Sequence, residues 1–198
     1  MIRLRVMSAL SCLLFASAWS TSLAQSWPTK AYDATYEMTA AGRTTSTRMI
    51  NDGHGHQRHE SSTPQGKVIS IIDYPNKVMW NLMEAQKMAM KLPFNPSSSG
   101  ASITDAQSAK QSNAKSLGTK VIDGHPCQGW QASVQGNTSE SWIGTDINNL
   151  VYSVSSGPQG QSTMKLKQFS ASAPSPSLFT VPSDYKVMSM PAGMPGMR

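Results

Sequence analysis

From residue 34 to residue 170 the chain alternates apolar and polar side chains in short runs, each closed by a turn signal. Period-two alternation places successive side chains on opposite faces of a strand. Ala34–Thr39 alternates weakly, and Arg43–Ile50, rich in Thr and Arg, reads as an exposed strand. Asn51-Asp52-Gly53 is a strong turn signal. His54–Ser61 then sets His54, His56, Arg58 and Glu60 on one face. Lys67–Ile72 (KVISII) is a β-branched run suited to a buried strand. Asp73-Tyr74-Pro75-Asn76 turns the chain into two further strands. In Lys77–Leu82, Val78, Trp80 and Leu82 point one way. In Lys87–Leu92, Met88, Met90 and Leu92 point one way while Lys87, Ala89 and Lys91 point the other. A helix competes here, because NLMEAQKMAMK is made of good helix formers and Leu82, Met83, Gln86 and Met90 nearly fit a helical stripe. The preceding turn, the alternation and Pro93 favour strands.

Residues 95–116 interrupt the pattern with Ser, Ala, Gln, Asn and Lys. They predict a loop or a short helix within Thr104–Lys115. A structureless stretch of that length inside a compact domain is unusual and often functional. Strands resume at Thr119–Ile122, closed by Asp123-Gly124, a hairpin-type turn. Cys127–Val134, with Trp130, Ala132 and Val134 on one side, turns at Gln135-Gly136-Asn137. Ser139–Ile143, Leu150–Val154 and Gln161–Ser170 follow, the last two separated by the turn Ser156–Gly160. Many short strands with regular turns predict a mainly β fold, a sandwich or a curved antiparallel sheet.

The two ends differ from this body. Arg3 and Arg5, the apolar run Val6–Trp19 and the small-x-small site Ser22-Leu23-Ala24 read as a signal peptide over residues 1–24. The run is too short and too interrupted by Ser for a membrane span. Ala9-Leu10-Ser11-Cys12 distantly resembles a lipoprotein signal but leaves almost no apolar region before the cysteine. Export predicts a periplasmic or secreted protein with one domain over residues 25–187 and a flexible Met/Pro-rich tail over 188–198. The formal charge of +6 falls to about +4 without Arg3 and Arg5, and the basic residues are scattered. No patch or motif points to nucleic acid; the modest basicity fits solubility or transient contact with an anionic membrane surface. Oligomeric state has no signature.

The order IIDYPNKVMWNLMEAQKMAMKLP, LGTKVIDGHPCQGW, SWIGTDINNLVYS and SLFTVPSDYKVMSMPAGMP resembles the bacterial secreted family grouped as domain of unknown function 4412 (DUF4412). That family in turn resembles the LolA/LolB-like superfamily of periplasmic lipoprotein carriers. The likeness covers most of residues 34–190 and lies in order and spacing rather than in any one motif. It implies an incomplete β-barrel: a curved antiparallel sheet whose concave face is apolar and covered by a short helix or loop. In carriers that face holds acyl chains. The carriers' basic segment after the early strands has no counterpart here, where NDGHGHQRHES is polar and His-rich, so no carrier-specific ligand residue is transferred.

The candidate chemistry follows. Trp80, Leu82, Met88, Met90, Trp130 and Trp142 are the expected apolar wall, with a lipid or lipoprotein acyl chain as partner; thioethers suit adaptable apolar surfaces. The alternative is a metal-binding protein. Thioethers also ligate Cu(I), and Met188, Met190, Met194 and Met197 crowd the tail. His54, His56 and His59 lie close in sequence and could serve a divalent ion, although their spacing matches no established zinc motif. With Cys12 removed, Cys127 stands alone and reads as a small hydrophobe. His125 and Cys127 flank Pro126 without a third group to orient a base. No G-x-S-x-G elbow, P-loop or G-x-G-x-x-G occurs. A non-enzymatic binding protein without a cofactor is the expectation.

Overall fold

The structure is a computed structural model and describes residues 27–63, 66–96, 103–112, 114–134, 136–158 and 160–189. The signal-peptide expectation for residues 1–24 and the tail residues Met190, Met194 and Met197 lie outside the described residues. Twelve strands form one sheet: β1 (Tyr32–Ala40), β2 (Arg43–Asn51), β3 (His56–Thr63), β4 (Gly66–Asp73), β5 (Val78–Met83), β6 (Met88–Pro93), β7 (Lys115–Ile122), β8 (His125–Val134), β9 (Asn137–Gly144), β10 (Asn149–Gly157), β11 (Gly160–Ser170) and β12 (Lys186–Ser189). Their spatial order is β12-β6-β5-β4-β3-β2-β1-β11-β10-β9-β8-β7. Two meanders, β1–β6 and β7–β11, therefore meet where β1 pairs with β11. The sheet stays open, with β12 and β7 as its edges.

Each strand expected between residues 34 and 170 is present. The helical alternative for 82–92 shrinks to a 3-10 turn, Glu84–Gln86, closed by Lys87 in the left-handed region. The expected tail from Met188 meets a strand instead: Met188 and Ser189 belong to β12, which pairs in parallel with β6. All other pairs are antiparallel. Among the described residues of the polar 95–116 stretch, a short α-helix, α1 (Ala106–Gln111), forms. Asp105 and Ser108 start it with a reciprocal capping box, in which each side chain bonds the other's backbone N–H.

The sheet buries apolar side chains on both faces, in different places. On one face, here called inner, Ile103 and Ala109 from the helical segment pack with Tyr32, Ala34, Tyr36, Val151 and Leu166. The Tyr36 hydroxyl closes this core by donating toward Asn149 Oδ1 (3.0 Å) and the Leu150 carbonyl (3.2 Å). On the outer face of β4–β6, Ile69, Ile71, Leu82 and Ala89 are covered by Phe179, Val181 and Tyr185. That covering segment carries the chain from β11 back to the β6 edge. It is tied to the outer face by the buried Arg58, which donates to the Leu178 carbonyl at 3.0 Å.

Candidate functional site

Residues directly paired across a sheet share a face, so register decides what each side chain sees. One row runs Ala34, Met49, His59, Ser70, Asn81, Met90, Met188 across β1 to β6 and on to β12. A second runs Tyr36, Thr47, Ser61, Val68, Met83, Met88, Lys186. A third runs Tyr32, Asn51, Gln57, Ile72, Met79, Leu92. Because Tyr32, Ala34 and Tyr36 pack beneath α1, all three rows lie on the inner face.

The eight methionines of the described residues, Met38, Met49, Met79, Met83, Met88, Met90, Met164 and Met188, all fall on this face. Met188 is exposed, and the other seven are half-buried. From Thr45 to Leu92 the inner positions of β2–β6 carry no Asp, Glu, Lys or Arg. Their polar groups are hydroxyls, amides and the His59 imidazole, whose pKa is pushed down by burial. Ser70 donates to Asn81 Oδ1 at 2.8 Å, so that pair satisfies itself within the wall.

The charges that the strands of this stretch carry sit on the outer face. The buried Glu60 accepts from Arg58 at 2.6 Å and Lys67 at 2.9 Å, with Arg48 3.8 Å away. Burial opposes ionisation of Glu60, but these bonds outweigh it and hold its carboxyl below the usual range. Arg48 also grips Asp33 through two nitrogens.

Register corrects the expected single apolar wall. Trp80 pairs with Lys91 and Leu82 with Ala89, on the outer face; Met88 pairs with Met83 and Met90 with Asn81, on the inner one. Trp130 pairs with Ser141, whereas Trp142 pairs with Gly129 and Tyr152. Thus Met88, Met90 and Trp130 face inward, while Trp80, Leu82 and Trp142 face outward. The Trp142 ring lies where a Gly129 Cβ would be, with ring carbons 2.6 to 2.9 Å from that position, and carries the Lys120 ammonium 3.6 Å from its centroid. Met79, Met83 and Met49 were missed as wall residues; their positions follow only from which strand they meet.

The histidines are not brought together. His54 is exposed before β3. His56 faces outward, with Nδ1 2.6 Å from Asp52. His59, three residues on, faces inward, because an odd spacing in a strand reverses the face. Among the described residues no three His, Cys, Asp or Glu side chains are grouped to hold a metal. The Cys127 thiol is buried and donates to the His125 carbonyl at 3.3 Å, and burial raises its pKa. It lacks the lowered pKa of an activated nucleophile. His125 Nδ1 lies 2.7 Å from Asp146.

A cavity of about 320 Å³ lies at one end of the helix-covered half, between His125, Ile147, Val151, Leu166, Lys167 and Phe169. The Trp130 indole N–H, on the inner face of the same half, is buried with no acceptor among the described residues.

A family model described as domain of unknown function, DUF4412, matches residues 34–152. The chain belongs to the DUF4412 family. No curated protein matches it. The DUF4412 chain is similar to a solved uncharacterised conserved protein from Thermus thermophilus, with 15% identity and a TM-score of 0.63 over 82% of this chain and 91% of that one. It is similar to a LolA superfamily protein from Nitrosomonas europaea at 8% identity and a TM-score of 0.36, covering 78% and 91%. For the Pseudomonas aeruginosa MucA/MucB complex the figures are 13% identity and 0.48, over 81% of the DUF4412 chain and 59% of that neighbour. At 15% identity the likeness to the Thermus thermophilus protein concerns the fold alone. Among the described residues no helix is long and apolar enough to cross a membrane.

Proposed function

We propose that this protein is an exported, non-enzymatic binding protein of the periplasm or extracellular space. It holds an apolar ligand, a lipid or a lipoprotein acyl chain, against the methionine-lined part of the inner face. One observation carries the reading: every described methionine lies on one face, and between Thr45 and Leu92 the acidic and basic side chains of the strands lie on the other. Binding would be reversible burial of apolar surface, worth roughly 25 cal/mol per Å². Unbranched thioether side chains would let one wall fit chains of different shape. A wall without fixed charge favours the apolar part of a ligand over an ionic headgroup.

The test is displacement of a fluorescent apolar probe by a long-chain fatty acid, with native mass spectrometry of protein purified from a bacterial envelope fraction. Met90→Lys places an ammonium in the middle of the wall and abolishes probe binding. Lys91→Glu, on the outer face, leaves it unchanged. Equal probe affinity in Met90→Lys and the parent protein would overturn the reading.

A further inference from the structure

Four of the inner-face methionines form a compact group that apolar binding does not require. Met83 and Met88 are direct partners across the β5–β6 hairpin, and Met90 and Met188 are direct partners across the β6–β12 edge. Met88 and Met90 are two apart on one strand and share its face. Direct partners place their Cβ atoms about 5 Å apart, and two residues along a strand span about 7 Å. With three rotatable bonds each, Met88, Met90 and Met188 can bring their sulfurs to a common point, whereas Met83 lies two strands and one step from Met188, too far to share an ion with it.

The opposite face of the same strands serves as an internal control. There β5, β6 and β12 present Val78, Trp80, Leu82, Ala89, Lys91, Pro93, Val187 and Ser189, with Ile69 and Ile71 beside them on β4, and none of these is methionine. Sulfur is confined to the side where Met88, Met90 and Met83 are half-buried and Met188 is 36% exposed.

We infer that Met88, Met90 and Met188 form a thioether site for a soft monovalent cation, Cu(I) or its analogue Ag(I). Neutral sulfur donors suit such an ion, whereas Mg²⁺ and Ca²⁺ need oxygen ligands. The nearest fixed charge on the face, Lys186, pairs with Met88 and is exposed, so its long stem carries the ammonium out to solvent. The site depends on β12, which alone supplies Met188 and docks through the Lys186 N–H bond to the Lys87 carbonyl (2.8 Å) and the Lys87–Asp184 pair (3.0 Å). It is independent of the apolar-ligand reading, because leucine can replace methionine in an apolar wall but not as a ligand.

The experiment is an anaerobic titration of the full chain with Cu(I) against the colorimetric chelator bicinchoninate, repeated with Ag(I) by calorimetry. X-ray absorption reports the donor atoms. The parent protein is expected to withhold one equivalent of Cu(I) with sulfur-only scattering. The combined variant Met88→Leu, Met90→Leu, Met188→Leu loses that equivalent while keeping its circular dichroism. A second variant, Met190→Leu, Met194→Leu, Met197→Leu, keeps it. Three results would overturn the inference: retention of Cu(I) by the three-leucine variant, loss of Cu(I) from the tail variant, or nitrogen donors on the bound ion. A parent protein that binds Cu(I) but no apolar probe would count against the apolar-ligand reading alone.

Discussion

Leu82 and Met90 lie on the same hairpin, and the register assigns them opposite duties. Leu82 is 1% exposed among Ile69, Ile71, Ala89 and Tyr185 on the outer face. Leu82→Ala removes most of a fully buried side chain in a place where sheet and covering segment are both fixed, so little collapse can follow. The expected loss is about 3 kcal/mol, the lower middle of the range for buried leucines. For a domain of this size that lowers Tm by about 6 to 12 °C. Met90 is only half-buried, so Met90→Ala forfeits about 1 kcal/mol of burial and a Tm shift of only a few degrees. Binding should invert the ranking. Measured well below both melting temperatures, probe affinity is unchanged in Leu82→Ala and weakened in Met90→Ala. Urea unfolding followed by tryptophan fluorescence gives the first quantity, and probe titration of the same samples gives the second. The face assignment fails if Met90→Ala destabilises as much as Leu82→Ala, or if Leu82→Ala weakens probe binding to the same degree at full occupancy of the folded state.

Three other perturbations probe the rest of the molecule. Gly129→Ala drives a Cβ into the Trp142 ring and is expected to cost about 1–3 kcal/mol through overpacking. Adding Trp142→Leu should recover most of that loss in chemical denaturation, which a purely backbone effect would not allow. Glu60→Ala leaves the buried Arg58 without its carboxylate, and stability should fall by about 3 kcal/mol at pH 7. Because the folded pKa of Glu60 is lowered, its share of stability is present above the unfolded value and is lost as pH falls through the folded one. The variant's denaturation midpoint should therefore depend less on pH in the acid range than the parent's. For His59 the folded pKa is also lowered, by burial. Stability is full above the ordinary imidazole value of about 6.5, declines as pH falls below it, and levels off at the folded pKa. His59→Gln should remove that decline, as read from melting temperatures across pH 4–8.

Most of this architecture was legible in the residues, because strands and turns are local. KVISII, the Met88–Leu92 alternation, Asn51-Asp52-Gly53 and Asp123-Gly124 announce themselves within a few positions of the chain. The short helix was legible only as a window, since six residues of Ala, Gln, Ser and Lys carry little periodic signal; the Asp105–Ser108 capping box fixes its start. Strand β12 was not legible. Its residues Lys186–Ser189 are all exposed, and they become a strand only because the preceding segment delivers them to the free edge of β6.

Local sequence dictates which residues alternate, where the chain turns, and that the sheet is built from hairpins. It does not dictate which face of one strand continues the face of the next. Between Met83 and Met88 the loop has four residues, Glu84 to Lys87, so even-numbered positions pair with odd ones: Leu82 meets Ala89, and Met90 meets Asn81. A loop one residue longer or shorter would have set Leu82 and Met90 on one face, as alternation alone invites. The pairing of Val134 with Asn137 separates Trp130 from Trp142 by the same parity. Alternation is a property of single strands, whereas a shared face is a property of register. Only the folded sheet, by closing its hairpins at these lengths, gathered every described methionine on one side and the strand charges between Thr45 and Leu92 on the other.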